Sequence, residues 1–522
     1  MKRRLISALL IVAVAMALIS GCAGDGTTTP QQSSKEPQKT TDPSQSETTP
    51  TTIIDMEEDP YTVAIQVVVL PGTNYEGRED REAAINAITL PAINTKVQIQ
   101  EVWISEVRNT TSMAVAGDEK IDLIHVATVQ RLSSMVGADL LYDMNQDDLL
   151  ATRGQEVLEV FSEELLEAGF AAGQQLAIPA KPYNANAKGI YYNKTFADQH
   201  NITVPEKMKF EDLTEIFRQV KAADPEIMPY YSGSGELNYL YWLKAFEGYG
   251  NEQAYGIILD PQAEPTVVNF YETDMYKDYI LTMHRWKKEG LQPGDPTDSN
   301  PGQAYFAAGQ LFAVVSDINS TIMAQRQADY KDFELGWVTL VEPVVTNATT
   351  TEYMWGIASN SQRPDKAMDF LNFMYENGEV ANILSYGLKD VDYTFVDGSN
   401  SVIARTGSYA PTFFVGGDPE KMLILSPNGE DYVAKLKEME ANATLSPLLG
   451  YTFDDSAFQT ESSVINSTIL EYIPRLNNGM ADSEEATLAL LAEFNQKLKL
   501  SGIDDVIAAN QEQINQYLKN QG

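Results

Sequence analysis

Runs of β-branched and apolar residues alternate along this sequence with segments of helical period, and that alternation calls for a layered α/β architecture. Residues 61–70 (YTVAIQVVVL) read as a buried strand closed by Pro71-Gly72. Residues 81–90 then read as a helix, 96–102 as a strand, 105–116 as a helix and 121–126 (IDLIHV) as a third strand. Strands separated by helices need crossover connections, which produce a parallel sheet with helices on both faces. Ligands of such open sheets sit beyond the carboxyl ends of the strands.

A second α/β unit opens at 187–193 (AKGIYYN), followed by a helix over 210–222 on which Leu213, Ile216, Phe217 and Val220 share one face. Further strands are expected at 311–316 (LFAVVS), 334–340 and 353–358 (YMWGIA). After the last, Pro364 stands at a first helical position, Ala367, Phe370, Leu371 and Met374 follow at helical spacing, and Gly378 is placed to stop the helix. About 460 residues run from Tyr61 to the end, and with 43% hydrophobic content they suffice for two or more packed lobes. No repeat at a solenoid period is present.

The amino terminus carries Lys2, Arg3 and Arg4 and then an uncharged apolar run from Leu5 to Ile19. That is the pattern of an export signal, over residues 1–21. The run falls short of the roughly 20 residues a permanent membrane span needs. It ends at Ile19-Ser20-Gly21-Cys22, where two small residues precede the single cysteine of the chain. This arrangement resembles a bacterial lipobox, which implies cleavage before Cys22 and a lipid on its sulfur; a leftover free thiol is the alternative. One cysteine also excludes an internal disulfide, so stability must come from core burial. Residues 22–59 are rich in Thr, Pro, Gln, Ser and Lys, with few apolar side chains before Ile53 and Ile54, and are expected to form a flexible tether. The expected location is the extracytoplasmic face of the cell membrane.

A formal net charge of −37 disfavours nucleic acid and anionic lipid as partners, because both demand cations against phosphate. Only His125, His200 and His284 are available as imidazoles, and the chain has no H-E-x-x-H, no G-x-S-x-G elbow and no P-loop. Paired carboxylates can cleave glycosidic bonds, so an exported carbohydrate-active hydrolase is one alternative. A sensory or adhesion lipoprotein that does not transport is another. Asp295, Asp298 and Asn300 near Pro296 lack the spacing of an EF-hand loop and read as an acidic turn, with no metal and no cofactor expected.

Three stretches carry a resemblance to the family 1 extracellular solute-binding proteins of ABC importers: AKGIYYNKTFADQHNITVP at 187–205, YFAAGQLFAVVSD at 305–317 and WGIASNSQRPDKAMDFLNFMYENGEV at 355–380. NILSYGLKDVDYTF at 382–395 and the C-terminal stretches YTFDDSAFQTESSVINSTILEY and LKLSGIDDVIAANQEQINQYL resemble the lipoprotein branch with an extra C-terminal domain of unassigned function. The resemblance implies a two-lobed periplasmic-binding-protein-like fold of type II, with hinged lobes and a ligand cleft between them. It places lobe I at 60–180 plus 343–388 and lobe II at 181–342 plus 389–522, including a C-terminal helical extension. Hinges are expected near 179–182, near 341–345 and around Gly387. The implied function is capture of a small polar solute, a sugar or oligosaccharide, by a monomer that delivers it to the transmembrane subunits of an ABC permease without making or breaking a bond.

A sugar needs hydrogen bonds for its hydroxyls and aromatic faces for its C–H surfaces. The cleft candidates are therefore Asn74 and Tyr75 after the first strand, Thr128 after IDLIHVA, and Tyr183 and Asn184 beside the first hinge. Lobe II adds Glu236, Tyr239, Asp317 and Asn319, and Trp355 is expected to close the site, with an ordinary core position as the alternative for Tyr239 and Trp355. Trp103 and Trp242 are expected in the core.

Overall fold

A computed structural model describes residues 54–69, 76–127, 130–231, 245–250, 253–292, 302–407, 409 and 416–521. The first pass of the chain builds lobe I. Strand β1 (Tyr61–Val69) is followed by helix α1 (Arg78–Ile93) and by β2 (Thr95–Trp103), which pairs with β1 in parallel from Tyr61↔Thr95 to Val69↔Trp103. Strand β3 (Leu123–Ala127) adds in parallel on the other side of β1, and the pass ends at β4 (Ile178–Pro179). In β1, Val63, Ile65, Val67 and Val69 enter one hydrophobic core, the alternation that a pleated strand dictates.

Lobe II follows. It comprises β5 (Asn186–Asn193), α2 (Leu213–Ala223), β6 (Met228–Tyr230), α3 (Asp274–Glu289), β7 (Leu311–Ile318), α4 (Ser320–Asp329) and β8 (Leu335–Val345). The central strand β5 runs antiparallel to both β7 and β8. Contact with β8 is close enough that a Cβ on Gly189 would lie 1.9 Å from the Val338 carbonyl oxygen, so only glycine fits there. The spacing on α2 does what it predicts: Leu213, Ile216, Phe217 and Val220 are all buried. They meet Trp286 of α3, whose ring lies 4.9–5.1 Å from those of Phe210, Phe217 and Tyr230 and whose indole N–H donates to Thr214 Oγ1 at 2.9 Å.

The chain then returns to lobe I. Strand β9 (Tyr353–Ile357) inserts antiparallel beside β3 and also pairs with β4, giving the order β2-β1-β3-β9-β4. Helix α5 (Pro364–Glu376) starts on its proline as expected. Gly378, however, does not stop it: Gly378 is the first residue of α6 (Gly378–Tyr386), capped by Asn377 Oδ1 accepting from the Glu379 N–H at 2.9 Å. Glycine is required there for another reason, since a Cβ would meet the Lys421 carbonyl oxygen at 2.0 Å.

Strands β10 (Tyr393–Phe395), β11 (Val402–Arg405) and β12 (Ile424–Leu425) form a small sheet of their own. The expectation gave residues 389–425 to lobe II, but Tyr409, Lys421 and Leu423 of this stretch bond to elements of lobe I. The Tyr409 hydroxyl donates to the Leu384 carbonyl at 2.8 Å, and its ring stacks 3.9 Å from the Arg81 guanidinium of α1. The Lys421 ammonium donates to Glu156 at 2.9 Å and to the Tyr375 carbonyl at 3.0 Å. The third crossing is therefore not at Gly387, which closes α6 at φ 83°, but through α7 (Tyr432–Ala441) into β13 (Thr444–Leu445). β13 pairs with β8, and the lobe II sheet reads β13-β8-β5-β7-β6.

Helices α8 (Gln459–Asn477), α9 (Glu484–Leu500) and α10 (Ile503–Gln521) complete lobe II. Ile469, Tyr472, Phe494 and Ile514 share one continuous core with Phe217, Tyr276 and Trp286. Among the described residues no helix is long and apolar enough to cross a membrane.

Candidate ligand cleft

Strand directions fix which edges of the two sheets face the crossings. β4 ends at Pro179 and β5 begins at Asn186, so the chain leaves lobe I at the carboxyl end of β4 and enters lobe II at the amino end of β5. β9 is antiparallel to both β3 and β4, which puts the carboxyl ends of β1, β3 and β4 on that same edge. In lobe II the strands antiparallel to β5 present the carboxyl ends of β7 and β8, together with β6 parallel to β7. Carboxyl edges of both sheets thus meet at the crossings, the position where open α/β sheets hold ligands.

Two carboxylates, the half-buried Glu440 and the fully buried Glu247, tie the crossing segments. On the first, the backbone N–H groups of Asn184 and Ala185 both donate to Glu440 Oε2 of α7, at 2.9 and 2.8 Å. On the second, the Asn347 N–H and Nδ2 donate to the fully buried Glu247 at 3.2 and 3.3 Å. Asn347 also receives the Gly450 N–H on its Oδ1 at 3.0 Å, so it links this crossing to the chain just beyond β13. Burial pushes both carboxyls above the usual range, and the N–H donors partly offset it. The lobes also touch through Arg131, whose guanidinium donates to the Gly250 carbonyl at 2.7 Å.

The structure brings together part of the predicted site. Asp317, near the carboxyl end of β7, stands opposite Lys188 of β5 and forms an ion pair with it; the Lys188 side chain is 3% exposed and that of Asp317 24%. Tyr183 lies half-buried on the first crossing, within hydrogen-bonding reach of Lys437, and burial raises its hydroxyl pKa. Asn184 is buried on the same crossing, its Nδ2 donating to the Lys181 carbonyl at 3.1 Å. Asn319 sits at the same edge, but its side chain is committed: Oδ1 accepts from the Ile322 N–H and the Thr321 hydroxyl, both at 2.7 Å, and Nδ2 donates to Asn186 at 2.8 Å. It is a helix cap for α4. Asn74, Tyr75, Thr128, Glu236 and Tyr239 lie outside the described residues, as do Cys22, Trp242 and the acidic turn of Asp295, Asp298 and Asn300.

Trp355 is placed elsewhere. It lies mid-strand in β9, fully buried in the lobe I core, with its ring 3.9 Å from that of His125. Because β9 runs antiparallel to β3, its cleft end is its amino end, which carries Glu352 and half-buried Tyr353. Sequence reasoning missed those two, and also Lys181 of the first crossing. Lys181 is pulled below the usual range by burial, an effect offset by the carboxylates of Glu352, Asp317 and Glu440. It misjudged Trp103 as well. That side chain ends β2 on the ligand-facing edge, beside Val69, and is 41% exposed. The available signal was that the β-branched run stops at Val102, which leaves Trp103 at a strand end.

Residues 81–381 match the model of a family described as bacterial extracellular solute-binding protein. The chain belongs to this family. Residues 447–519, which take in α8, α9, all but the last two residues of α10 and the segment leading into them, match a further model described as a domain of unknown function, DUF3502. This solute-binding protein is 22% identical over 466 residues to a carbohydrate ABC transporter substrate-binding protein of Streptococcus pneumoniae, covering 86% of this chain and 90% of that one. Its fold resembles the crystal structure of the N-glycan transport solute binding protein (NgtS) from Streptococcus pneumoniae, with a TM-score of 0.74, 19% identity and coverage of 88% and 100%. It also resembles an extracellular solute-binding protein from Bifidobacterium longum subsp. infantis, with a TM-score of 0.61, 16% identity and coverage of 89% and 100%. The two-lobed α/β fold expected of a type II binding protein is thus the fold of this chain.

Proposed function

We propose that this solute-binding protein captures an oligosaccharide between its lobes and hands it unaltered to the transmembrane subunits of an ABC permease. The observation that carries the reading is the ligand-facing edge itself. An ion-paired carboxylate, Asp317, can accept hydroxyls there, and Trp103 and Tyr353 offer aromatic surface. The relatives support the sugar class: NgtS has been solved in complex with Man5GlcNAc, and the Streptococcus protein is described as a carbohydrate transporter component. A monomer with residues 1–21 removed, a lipid on Cys22 and residues 22–59 as tether completes the reading, and the signal and tether patterns of the sequence support it. Binding without turnover is favoured over hydrolysis because the relatives are described as substrate- or solute-binding proteins.

A thermal-shift screen of mono- and oligosaccharides tests it, because a ligand that binds only the folded chain raises the melting temperature by mass action. At least one oligosaccharide is expected to do so and to be recovered intact. Recovery of shortened products would favour the hydrolase. For the anchor, Cys22→Ser is expected to release the protein from the membrane fraction, and retention there would count against lipidation.

A further inference from the structure

We propose that the cleft selects uncharged oligosaccharides over acidic ones, because the cations at its base are already matched by carboxylates. This rests on the saccharide reading above and names the class within it. Lys188 is buried beneath Asp317 and spends its ammonium on that carboxylate. Lys181, on the first crossing, sits among the carboxylates of Glu352, Asp317 and Glu440. Two ammonium groups therefore face three carboxylates, a formal balance of −1. Arg131 is engaged with the Gly250 carbonyl across the lobes.

A sugar hydroxyl entering here donates to the lone pairs of Asp317 that Lys188 leaves unused. A carboxylate or phosphate on the sugar would instead lose its water beside Asp317, with cations around it that are already compensated. Lys188 acts as a positioning residue, holding Asp317 through their ion pair near the carboxyl end of β7.

The test is titration calorimetry on the chain from residue 22 onward carrying Cys22→Ser, with matched pairs of probes. One pair is Man5GlcNAc and its mannose-phosphorylated derivative; the other is a neutral milk tetrasaccharide and its sialylated form. For whichever pair binds, the acidic member is expected to be weaker by about tenfold or more, as like-charge juxtaposition dictates. Asp317→Asn should narrow that gap by weakening the neutral member and strengthening the acidic one, whereas Asp317→Glu should keep it. An acidic member that binds as tightly as its neutral partner overturns the charge selection while leaving saccharide binding intact. Failure of both pairs and of the wider panel removes the saccharide reading and the selection with it.

Discussion

Trp355 and Trp103 belong to strands of the same sheet yet face different surroundings. Trp355 is fully buried between His125 and Ile178, so truncation opens a cavity that its neighbours cannot refill. Trp355→Ala is expected to cost about 3–5 kcal/mol, read as a large fall in the ligand-free melting temperature. Trp103→Ala removes a ring that is 41% exposed, and should leave that melting temperature nearly unchanged while weakening oligosaccharide binding. An unshifted melting temperature for the first, or unshifted affinity for the second, contradicts these placements. His125 adds a pH dependence. Burial pulls its imidazole from 6.5 to about 4, so between those values the unfolded chain binds a proton that the folded chain refuses. Stability from this group is complete above about pH 6.5 and is lost as pH falls towards 4, by on the order of 3 kcal/mol. The raised carboxyls of Glu247 and Glu440 act in the opposite direction, gaining stability on acidification. A variant comparison isolates the histidine: on going from pH 7 to pH 4.5, His125→Phe should lose less melting temperature than the parent. At this scale the sequence marks aromatic residues but not their direction. The cleft end of β9 depends on its pairing with β3, and no feature of YMWGIA states that pairing.

Individual elements were more legible, wherever a local pattern decides them. The β-branched run at Tyr61, the shared face of Leu213, Ile216, Phe217 and Val220, and Pro364 at a helix start all reappear in place. Gly378 and the segment 389–425 did not follow, and the cause is tertiary. Gly378 is dictated by the approach of the Lys421 carbonyl, and the stretch beyond it is tied to lobe I by Tyr409, Leu423 and Lys421 bonding to Leu384, Asn382 and Tyr375. The C-terminal helices illustrate the same dependence in a form that can be measured. They share a core with α2 and α3, and the Asn510 amide and Tyr451 hydroxyl bind at 2.6 Å while Asn510 donates to the Tyr255 carbonyl at 2.7 Å. A chain ended after Ser446 should therefore lose cooperative unfolding of lobe II. A truncated chain that melts cooperatively and binds ligand as before would show the C-terminal domain to be an independent appendage.

For the whole molecule, three crossings tied by Glu247 and Glu440 leave the lobes as the units that move, with the ligand-facing edges between them. Ligand that contacts both lobes favours closure by its differential affinity for the closed form. Shifting a 1:99 balance to 99:1 takes roughly 5.5 kcal/mol, within reach of several hydroxyl hydrogen bonds and one stacked ring. The presence of strands alternating with helices was legible, because hydrophobic runs and helical periods mark them; the wholly parallel sheet that crossovers implied was not, since β9 runs antiparallel to β3 and β4, and β5 antiparallel to β7 and β8. The path of the third crossing was not, since α7 buries none of its residues fully and gives no strong periodic signal. Small-angle scattering of the chain with and without saturating oligosaccharide measures closure directly. The radius of gyration should fall when the sugar is added, and a radius that stays the same at saturation would contradict capture between moving lobes.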